Sequence, residues 1–216
     1  MASPLWRYMF KTSWLLAAFC IVGTGAVGLT YNITYQQVTA NARTTLLNRL
    51  NALIPPSQRD NDIDQDSIQL TAPEYLGSRK PLTAYRARLR GQPVAAVFEV
   101  VAPDGYSGAI HLLVAIYYEG VIAGVRVLSH KETPGLGDYI EESRSAWIFN
   151  FDGHSLADPN RAGWNVKKDG GIFDQVTGAT ITPRAVVKAV YKCLQYFNAN
   201  RAQIFAPAKD ASPDGH

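Results

Sequence analysis

The chain has 216 residues, of which 47% are hydrophobic and 18% are charged, and its formal net charge is +3. This length accommodates one globular domain of ordinary size together with an additional segment. The basic residues are spread along the chain without an arginine- or lysine-rich block, which argues against a nucleic-acid partner. The two cysteines, Cys20 and Cys193, lie far apart, so neither a disulfide framework nor a thiolate metal site is indicated.

A long uncharged segment near the N-terminus predicts a membrane-spanning helix. No charged side chain occurs between residues 12 and 42, and residues 14–31 are mostly apolar. At about 1.5 Å of rise per residue the apolar run spans about 27 Å, close to the hydrocarbon thickness of a bilayer. We therefore predict a transmembrane helix over residues 12–31. A cleaved secretory signal is the alternative, because small residues between Gly23 and Gly28 offer a cleavage site.

The charges that flank this segment predict its orientation. Arg7 and Lys11 precede it without a nearby acidic residue, and the first positive charge after it is Arg43. Positively charged residues are enriched on the cytoplasmic side of membrane helices. Residues 1–11 are therefore predicted to be cytoplasmic, and the chain from residue 32 onward is predicted to face outward.

A helical stalk is predicted over residues 32–56. Its apolar residues recur at helical spacing until two prolines end the pattern, and they are Leu46, Leu47, Leu50, Leu53 and Ile54. The polar segment that follows, residues 58–68, is predicted to be an exposed linker or loop. Residues 206–216 have the composition of a disordered tail. This leaves residues 57–205 as the globular domain.

The first half of this domain predicts an antiparallel sheet. Four runs rich in β-branched and aromatic residues are separated by short turns, and they span residues 81–90, 93–102, 109–118 and 121–130. Such turns leave no room for crossover helices, which disfavours a parallel sheet. With the helices predicted around it, the sheet indicates an α+β domain.

The second half predicts two helices and one further strand. Asp138–Phe149 is predicted to form a short helix capped by Asp138, and residues 164–166 to form a strand. A longer helix is predicted to begin with Thr182 as its N-cap and Pro183 at its first position. Its buried stripe is predicted to consist of Val186, Val187, Val190, Cys193, Leu194 and Phe197.

The start of this last helix has the features of an anion site. A helix start leaves backbone amides unpaired and carries the positive end of the helix dipole. Gly178 permits close backbone approach, and three hydroxyls surround it, those of Thr177, Thr180 and Thr182. Arg184 adds charge in the first turn. The alternative is an ordinary capped helix after a glycine turn, and the standard glycine-rich nucleotide-binding patterns are absent.

A motif match extends this physical interpretation. The segment D-Q-V-T-G-A-T, residues 174–180, resembles the pattern D-x-x-[ST]-G-A-[ST] of a family with covalently bound flavin. The family comprises the FMN-binding subunits of Rnf electron-transport complexes and of sodium-pumping NADH:quinone reductases. The resemblance implies that FMN is attached through a phosphodiester to Thr180, by a separate flavin transferase that uses FAD and magnesium. It also implies that Thr177, Gly178, Ala179 and Thr182 contact the cofactor.

A second loop agrees with this resemblance. Residues 129–142, "SHKETPGLGDYIEE", look like the family's T-P-G-L-G loop, which lies against the flavin. The contacts implied there are polar for Glu132 and Thr133, through the backbone for Gly135 and Gly137, and through apolar packing for Leu136. Seen alone, the loop is also compatible with a simple glycine-proline turn.

The resemblance covers essentially the whole chain and is strongest to the Rnf branch of the family. It implies a flavoprotein anchored in the inner membrane by one helix, with residues 57–205 forming a periplasmic FMN-binding domain. The implied role is electron transport as a redox subunit of an ion-translocating complex of the ferredoxin:NAD oxidoreductase type, without turnover alone. Its partners are then the other membrane subunits. Two alternatives stay open: the same flavin role in a sodium-translocating NADH:quinone reductase, or a membrane-tethered domain that binds a ligand noncovalently or acts as a sensor.

No catalytic side chain is predicted beyond the flavin. The four histidines show no metal-ligand spacing, so no metal site is predicted. Glu141 and Glu142 are adjacent and point in different directions on a helix, which disfavours a paired acid/base site.

Overall fold

The computed structural model describes residues 4–206, so residues 207–216 of the predicted tail lie outside the described residues. The chain divides into two compact units, Met1–Asn48 and Arg49–His216. Helix α1 (Pro4–Leu53) is continuous and supplies the described part of the first unit. Within the described residues, Met9–Tyr35 is the one helical segment long and apolar enough to cross a bilayer. The boundaries of the transmembrane and stalk segments stay predictions.

The second unit is built on a five-stranded antiparallel sheet. Its strands are β1 (Ser67–Leu70), β2 (Leu82–Leu89), β3 (Gln92–Ala102), β4 (Ile110–Tyr117) and β5 (Ile122–Ser129). They pair in the order β1-β2-β3-β4-β5, so that each strand neighbours the next along the chain. All four predicted strands are therefore confirmed, as is the antiparallel α+β class.

The first strand was not predicted, because part of it lies in the segment interpreted as a linker. Ile68 pairs with Ala84 of β2 and is partly buried against the core. Four residues at the edge of a sheet show too little alternation to stand out from a polar surrounding. A single helical turn, α2 (Pro73–Leu76), connects β1 to β2.

The hairpin between β2 and β3 shows how local sequence fixes the register. Arg90 and Gly91 both have positive φ, 54° and 75°. Two central residues with positive φ form the tight turn whose twist matches that of the flanking strands. Leu89 consequently pairs with Gln92, and after a register shift between Ala87 and Arg88 the hairpin continues with Tyr85 opposite Val97.

Helix α3 (Ile181–Ile204) packs on β3 and β4 and closes the core. The six residues of its predicted stripe are all buried, and Phe197 meets Phe98 edge to face with ring centroids 6.0 Å apart. Cys193 belongs to this stripe, and its burial raises the pKa of the thiol far above the ordinary value. The prediction that Cys193 is a core residue is thus confirmed.

The final turn of α1 belongs to the second unit. Leu50, Leu53 and Ile54 are buried, and the Arg49 guanidinium donates to the Val127 carbonyl of β5 at 2.7 Å. This part of the predicted stalk therefore packs on the domain that follows it. Pro55 and Pro56 end the helix, as predicted.

Two local predictions were wrong. Asp138–Phe149 does not form one helix but two 3₁₀ segments, Asp138–Ile140 and Ala146–Phe151. The second segment has its own N-cap, Ser145, whose hydroxyl accepts from the Trp147 amide at 3.1 Å, and this separate start interrupts the helix.

The predicted strand over residues 164–166 is also absent from the described part of the chain. Val166 lies between the 3₁₀ segments Arg161–Gly163 and Lys167–Asp169. It forms only an isolated bridge with Phe173. Gly170 has φ 85° and turns the chain before a longer ladder can form.

Candidate functional site

The two loops singled out by the sequence meet at a cleft beside the start of α3. The cleft has a volume of about 170 Å³ and is lined by Tyr106, Glu132, Thr133, Leu136, Gly137, Gly178, Ala179, Ile181 and Thr182. Seven of these residues were predicted as cofactor contacts. Three further predicted site residues, Gly135, Thr177 and Thr180, lie in the same loops but do not line the cleft.

The first wall is a tight turn over Thr133–Gly137. The amides of Leu136 and Gly137 both donate to the Thr133 carbonyl, at 3.1 and 3.0 Å. The Gly135 amide donates to Asp138 Oδ1 at 2.7 Å, so it is already paired within the protein. Leu136 is 47% exposed and presents an apolar surface at the mouth of the cleft.

The second wall is the segment that leads into α3. Gly178 has φ 88°, and no atom lies within 4 Å of the position that a Cβ would take there. The Ala179 amide donates to the Val176 carbonyl at 3.0 Å and closes a turn. The backbone therefore enters the helix through an open loop that a ligand can approach closely.

The structure corrects the predicted start of α3. The helix begins at Ile181, and Thr180 is its N-cap, without a capping hydrogen bond from its side chain. Thr182 was predicted as the N-cap but occupies the second helical position, because its hydroxyl donates to the Glu132 carboxylate instead of accepting from the helix amides. Pro183 moves from the predicted first position to the third, which remains in the first turn where proline is tolerated.

Glu132 connects three segments of the site. Its side chain is buried, with a relative exposure of 4%. One carboxylate oxygen accepts from the Ser107 amide at 2.9 Å, and the other accepts from the Thr182 hydroxyl. The fit is close, since a Cβ at Gly137 would lie 2.8 Å from the Cβ of Glu132. The carboxylate thus holds the Gly105–Gly108 turn, the Thr133–Gly137 loop and the start of α3 together.

His130 supports the backbone of Glu132. Its Nδ1 accepts from the Glu132 amide at 3.0 Å, which leaves Nε2 to donate to Glu141 Oε1 at 2.8 Å. The ring is thereby fixed in orientation on both sides. His130 itself does not line the cleft.

The start of the 174–180 segment is held by two residues that do not line the cleft. The Trp147 indole Nε1 donates to the Asp174 carbonyl at 2.7 Å, and Lys167 pairs with the Asp174 carboxylate at 2.6 Å. Arg184 forms a two-pronged ion pair with Asp169, with both N···O distances 2.6 Å. This guanidinium lowers the pKa of Asp169. Arg184 was expected to add charge near an anion, but it is engaged by Asp169 and does not line the cleft.

Sequence reasoning missed two lining residues, Tyr106 and Ile181. Both side chains are apolar and exposed, with relative exposures of 69% and 45%. Tyr106 belongs to the turn before β4, and Ile181 lies between the two threonines of the helix start. Within the described residues, no group of three or more His, Cys, Asp or Glu side chains is arranged to hold a metal ion.

The cleft brings helix-start amides together with exposed apolar side chains. In the first turn of α3 the amides of Ile181 and Thr182 have no acceptor within the helix, and the helix dipole favours negative charge there. Leu136, Tyr106 and Ile181 supply apolar surface around the opening. These features fit the phosphate and the ring system of FMN.

Comparison with known proteins agrees with this geometry. The sequence model of the FMN-binding domain matches residues 105–195, which include both loops, and that of the RnfG N-terminal region matches residues 1–53. Relatives that are each the G subunit of an ion-translocating oxidoreductase complex align over nearly the whole chain. The Pseudomonas aeruginosa protein is 49% identical over 205 residues, which cover 95% of this chain and 96% of the relative.

Two further G subunits of such complexes support the assignment. The Vibrio cholerae protein is 47% identical over 194 residues, covering 90% of this chain and 92% of its own length. The Pseudoalteromonas atlantica protein is 46% identical over 200 residues, covering 93% of each chain. The chain therefore belongs to the family of G subunits of ion-translocating oxidoreductase complexes, and it contains that family's FMN-binding domain.

Proposed function

We propose that this chain is a membrane-anchored redox subunit that relays electrons through FMN attached covalently to Thr180. The observation that carries the proposal is the meeting of the Thr133–Gly137 loop with the Gly178–Thr182 segment in one cleft. The two loops are separated by about 40 residues of sequence, and each resembles a flavin-associated motif of the family. Their meeting in one cleft supports a single ligand that contacts both motifs.

The position of Thr180 suits an attachment point. It is the N-cap of α3, its side chain is half-buried, and it makes no capping hydrogen bond. Thr182, by contrast, uses its hydroxyl for Glu132. A phosphate esterified to Thr180 lies close to the first-turn amides, which favour negative charge.

The size of the cleft explains why a covalent bond is useful. Sites that enclose a small molecule typically have volumes of roughly 300–1,000 Å³, and this cleft has about 170 Å³. It therefore encloses only part of FMN and leaves the rest at the surface, where Leu136 and Tyr106 can pack against it. When bound, the flavin supplies the redox chemistry, and the protein supplies its orientation and electrostatic surroundings. No side chain is required to act as an acid or base.

The proposal extends to cellular context. The helix over Met9–Tyr35 anchors the chain in the inner membrane, and the charge distribution around it directs the FMN-binding domain to the periplasm. A flavin transferase that uses FAD and magnesium makes the bond. The other membrane subunits of the ion-translocating complex, of the ferredoxin:NAD oxidoreductase type, are the redox partners, and the isolated chain has no turnover.

Flavin fluorescence on a denaturing gel tests the covalent bond. We expect the full-length protein, co-expressed with a flavin transferase, to give a fluorescent band under ultraviolet light. Thr180→Val should abolish that band, and Thr180→Ser, which keeps a hydroxyl at the same position, should restore it. Mass spectrometry of the peptide that contains Thr180 identifies the adduct. A dark wild-type band from a host with active transferase contradicts covalent attachment, and flavin that is lost on denaturation supports a noncovalent binding domain instead.

A further inference from the structure

The buried carboxylate of Glu132 has an unusual environment for a charged group. In the described part of the chain, no lysine, arginine or histidine forms an ion pair with it. Burial of an unpaired charge is costly unless hydrogen bonds compensate it. Here one N–H and one O–H donor point at the two carboxylate oxygens, and such charge-assisted bonds are the strong ones. A charge kept at this cost in the wall of a cleft calls for a function there.

We infer that Glu132 is a positioning residue that also lowers the midpoint potential of the bound flavin. The inference rests on the proposed function and assigns to this carboxylate a role distinct from direct cofactor contact. Its hydrogen bonds align the three segments that form the cleft. Its fixed negative charge opposes the addition of electrons to a neighbouring group, because that addition increases the negative charge of the group.

The contacts of Glu132 explain how one side chain can both align the three segments and lower the midpoint potential. Each oxygen accepts one hydrogen bond, from the Ser107 amide or the Thr182 hydroxyl, and these two bonds hold the carboxylate in place. His130 fixes the Glu132 backbone through the amide. The carboxylate is therefore a rigid, preorganised charge, which costs no rearrangement when the flavin changes its oxidation state.

Substitution of Glu132 by glutamine separates the charge from the hydrogen bonds. A glutamine oxygen can accept from the Ser107 amide, and its NH₂ group can donate to a Thr182 hydroxyl that has rotated. Glu132→Gln thus keeps both contacts and loses the charge. Glu132→Ala loses both the contacts and the charge.

A matched control exists on strand β3. Glu99 also accepts from one backbone amide, Thr83 N at 3.2 Å, and from one hydroxyl, Tyr85 Oη at 3.0 Å. It does not line the cleft. Glu99→Gln therefore removes a similarly bonded carboxylate away from the proposed flavin position.

The first measurement is a potentiometric titration of the full-length flavinylated protein with dithionite as the reductant. We expect Glu132→Gln to load flavin to the wild-type level and to shift the midpoint potential in the positive direction. The expected shift corresponds to at least about a tenfold change in the equilibrium constant, or about 30 mV for a two-electron couple. Glu99→Gln should leave the potential unchanged. Equal potentials for Glu132→Gln and wild type overturn the electrostatic role.

The second measurement does not depend on flavin. Hydrogen–deuterium exchange of the unmodified full-length protein, in a Thr180→Val background, reports the protection of the Ser107 amide. We expect Glu132→Ala to increase its exchange at least about tenfold and Glu132→Gln to leave it near the wild-type rate. Unchanged exchange in Glu132→Ala overturns the positioning role.

These two measurements also separate the inference from the proposed function. A wild-type protein that carries no covalent flavin contradicts the proposed function, and with it the effect on potential. The exchange measurement still decides whether Glu132 positions the three segments. If the wild type is flavinylated and the Glu132 variants match it in midpoint potential and in amide exchange, the proposed function stands and the inference alone is rejected.

Discussion

The contact between Trp147 and the 174–180 motif gives a quantitative prediction. Trp147 is 7% exposed, and its indole N–H donates to the carbonyl of Asp174, the first residue of the motif, at 2.7 Å. Its ring also meets Tyr139 and Phe151 edge to face, at 5.5 and 5.4 Å. Trp147→Phe keeps an aromatic ring but removes the donor. The Asp174 carbonyl then loses its partner in a partly buried position.

The expected cost follows from the energy of that hydrogen bond. Loss of this partly buried hydrogen bond, together with the smaller ring of phenylalanine at a buried position, costs about 1–3 kcal/mol of the free energy of unfolding. For a folded unit of this size, each kcal/mol lowers the melting temperature by about 2–4 °C, so we expect a decrease of roughly 2–12 °C. Thermal unfolding of the full-length protein in detergent measures it. Under the proposed function, we also expect flavin attachment to slow by about tenfold or more, because the motif loses this contact and small misplacements of reacting groups reduce rates.

Trp164 supplies the matched control. It is 4% exposed, and its indole N–H donates to the Ser155 carbonyl at 3.1 Å, a residue outside the motif. Trp164→Phe should lower the melting temperature by a similar amount while leaving the rate of flavin attachment near the wild-type value once the protein is folded. If both variants slow attachment equally, stability alone controls the reaction, and the specific role of Trp147 is refuted.

Two further predictions concern stability. Asp66 forms ion pairs with both Arg86 and Arg88. The two guanidinium groups also donate to the carbonyls of Ile204 and Phe205 at the end of α3. Asp66→Asn should therefore lower the free energy of unfolding by about 2–4 kcal/mol. The exposed pair between Asp104 and Lys188 is the control, since Asp104→Asn should change it by less than about 1 kcal/mol in chemical denaturation. Burial raises the pKa of Tyr139 and of Tyr85, which also lies beside Glu99, to about 12. The contribution of these two tyrosines to stability is therefore complete below about pH 10 and is lost as the pH rises through about 12. Between about pH 9 and 12, the free energy of unfolding should fall less in the double Tyr→Phe variant than in the wild type. An equal fall in both proteins contradicts the assignment.

The sequence was sufficient for features that depend on long local runs or on helical periodicity. Strands β2 to β5 are runs of eight or more residues bounded by turns, and the buried stripe of α3 recurs at helical spacing. Strand β1 and the 3₁₀ segments are too short for such a signal. The motif resemblance located both loops of the site, but it could not tell how they would meet.

The start of α3 shows why a local rule fails where a distant residue competes. Thr182 followed by Pro183 has the local form of a helix N-terminus. The Thr182 hydroxyl nevertheless bonds to Glu132, which lies 50 residues away in sequence. Removing a hydrogen-bond donor from a buried carboxylate without an ion pair costs more free energy than losing a helix cap, which costs only about 1 kcal/mol. The helix therefore begins one position after Thr180.

This competition has a consequence for the proposed chemistry. With Thr182 engaged by Glu132, the hydroxyl of Thr180 is left at the N-cap position without a capping bond to the backbone. The residue that would ordinarily stabilise the helix is thereby free for esterification, and a phosphate on it can contact the same first-turn amides that a capping side chain would contact. Under the proposed function, the covalent phosphate replaces the missing cap. Flavin attachment should then raise the stability of the domain, and a melting temperature of the flavinylated wild type no higher than that of its unmodified form would contradict this coupling.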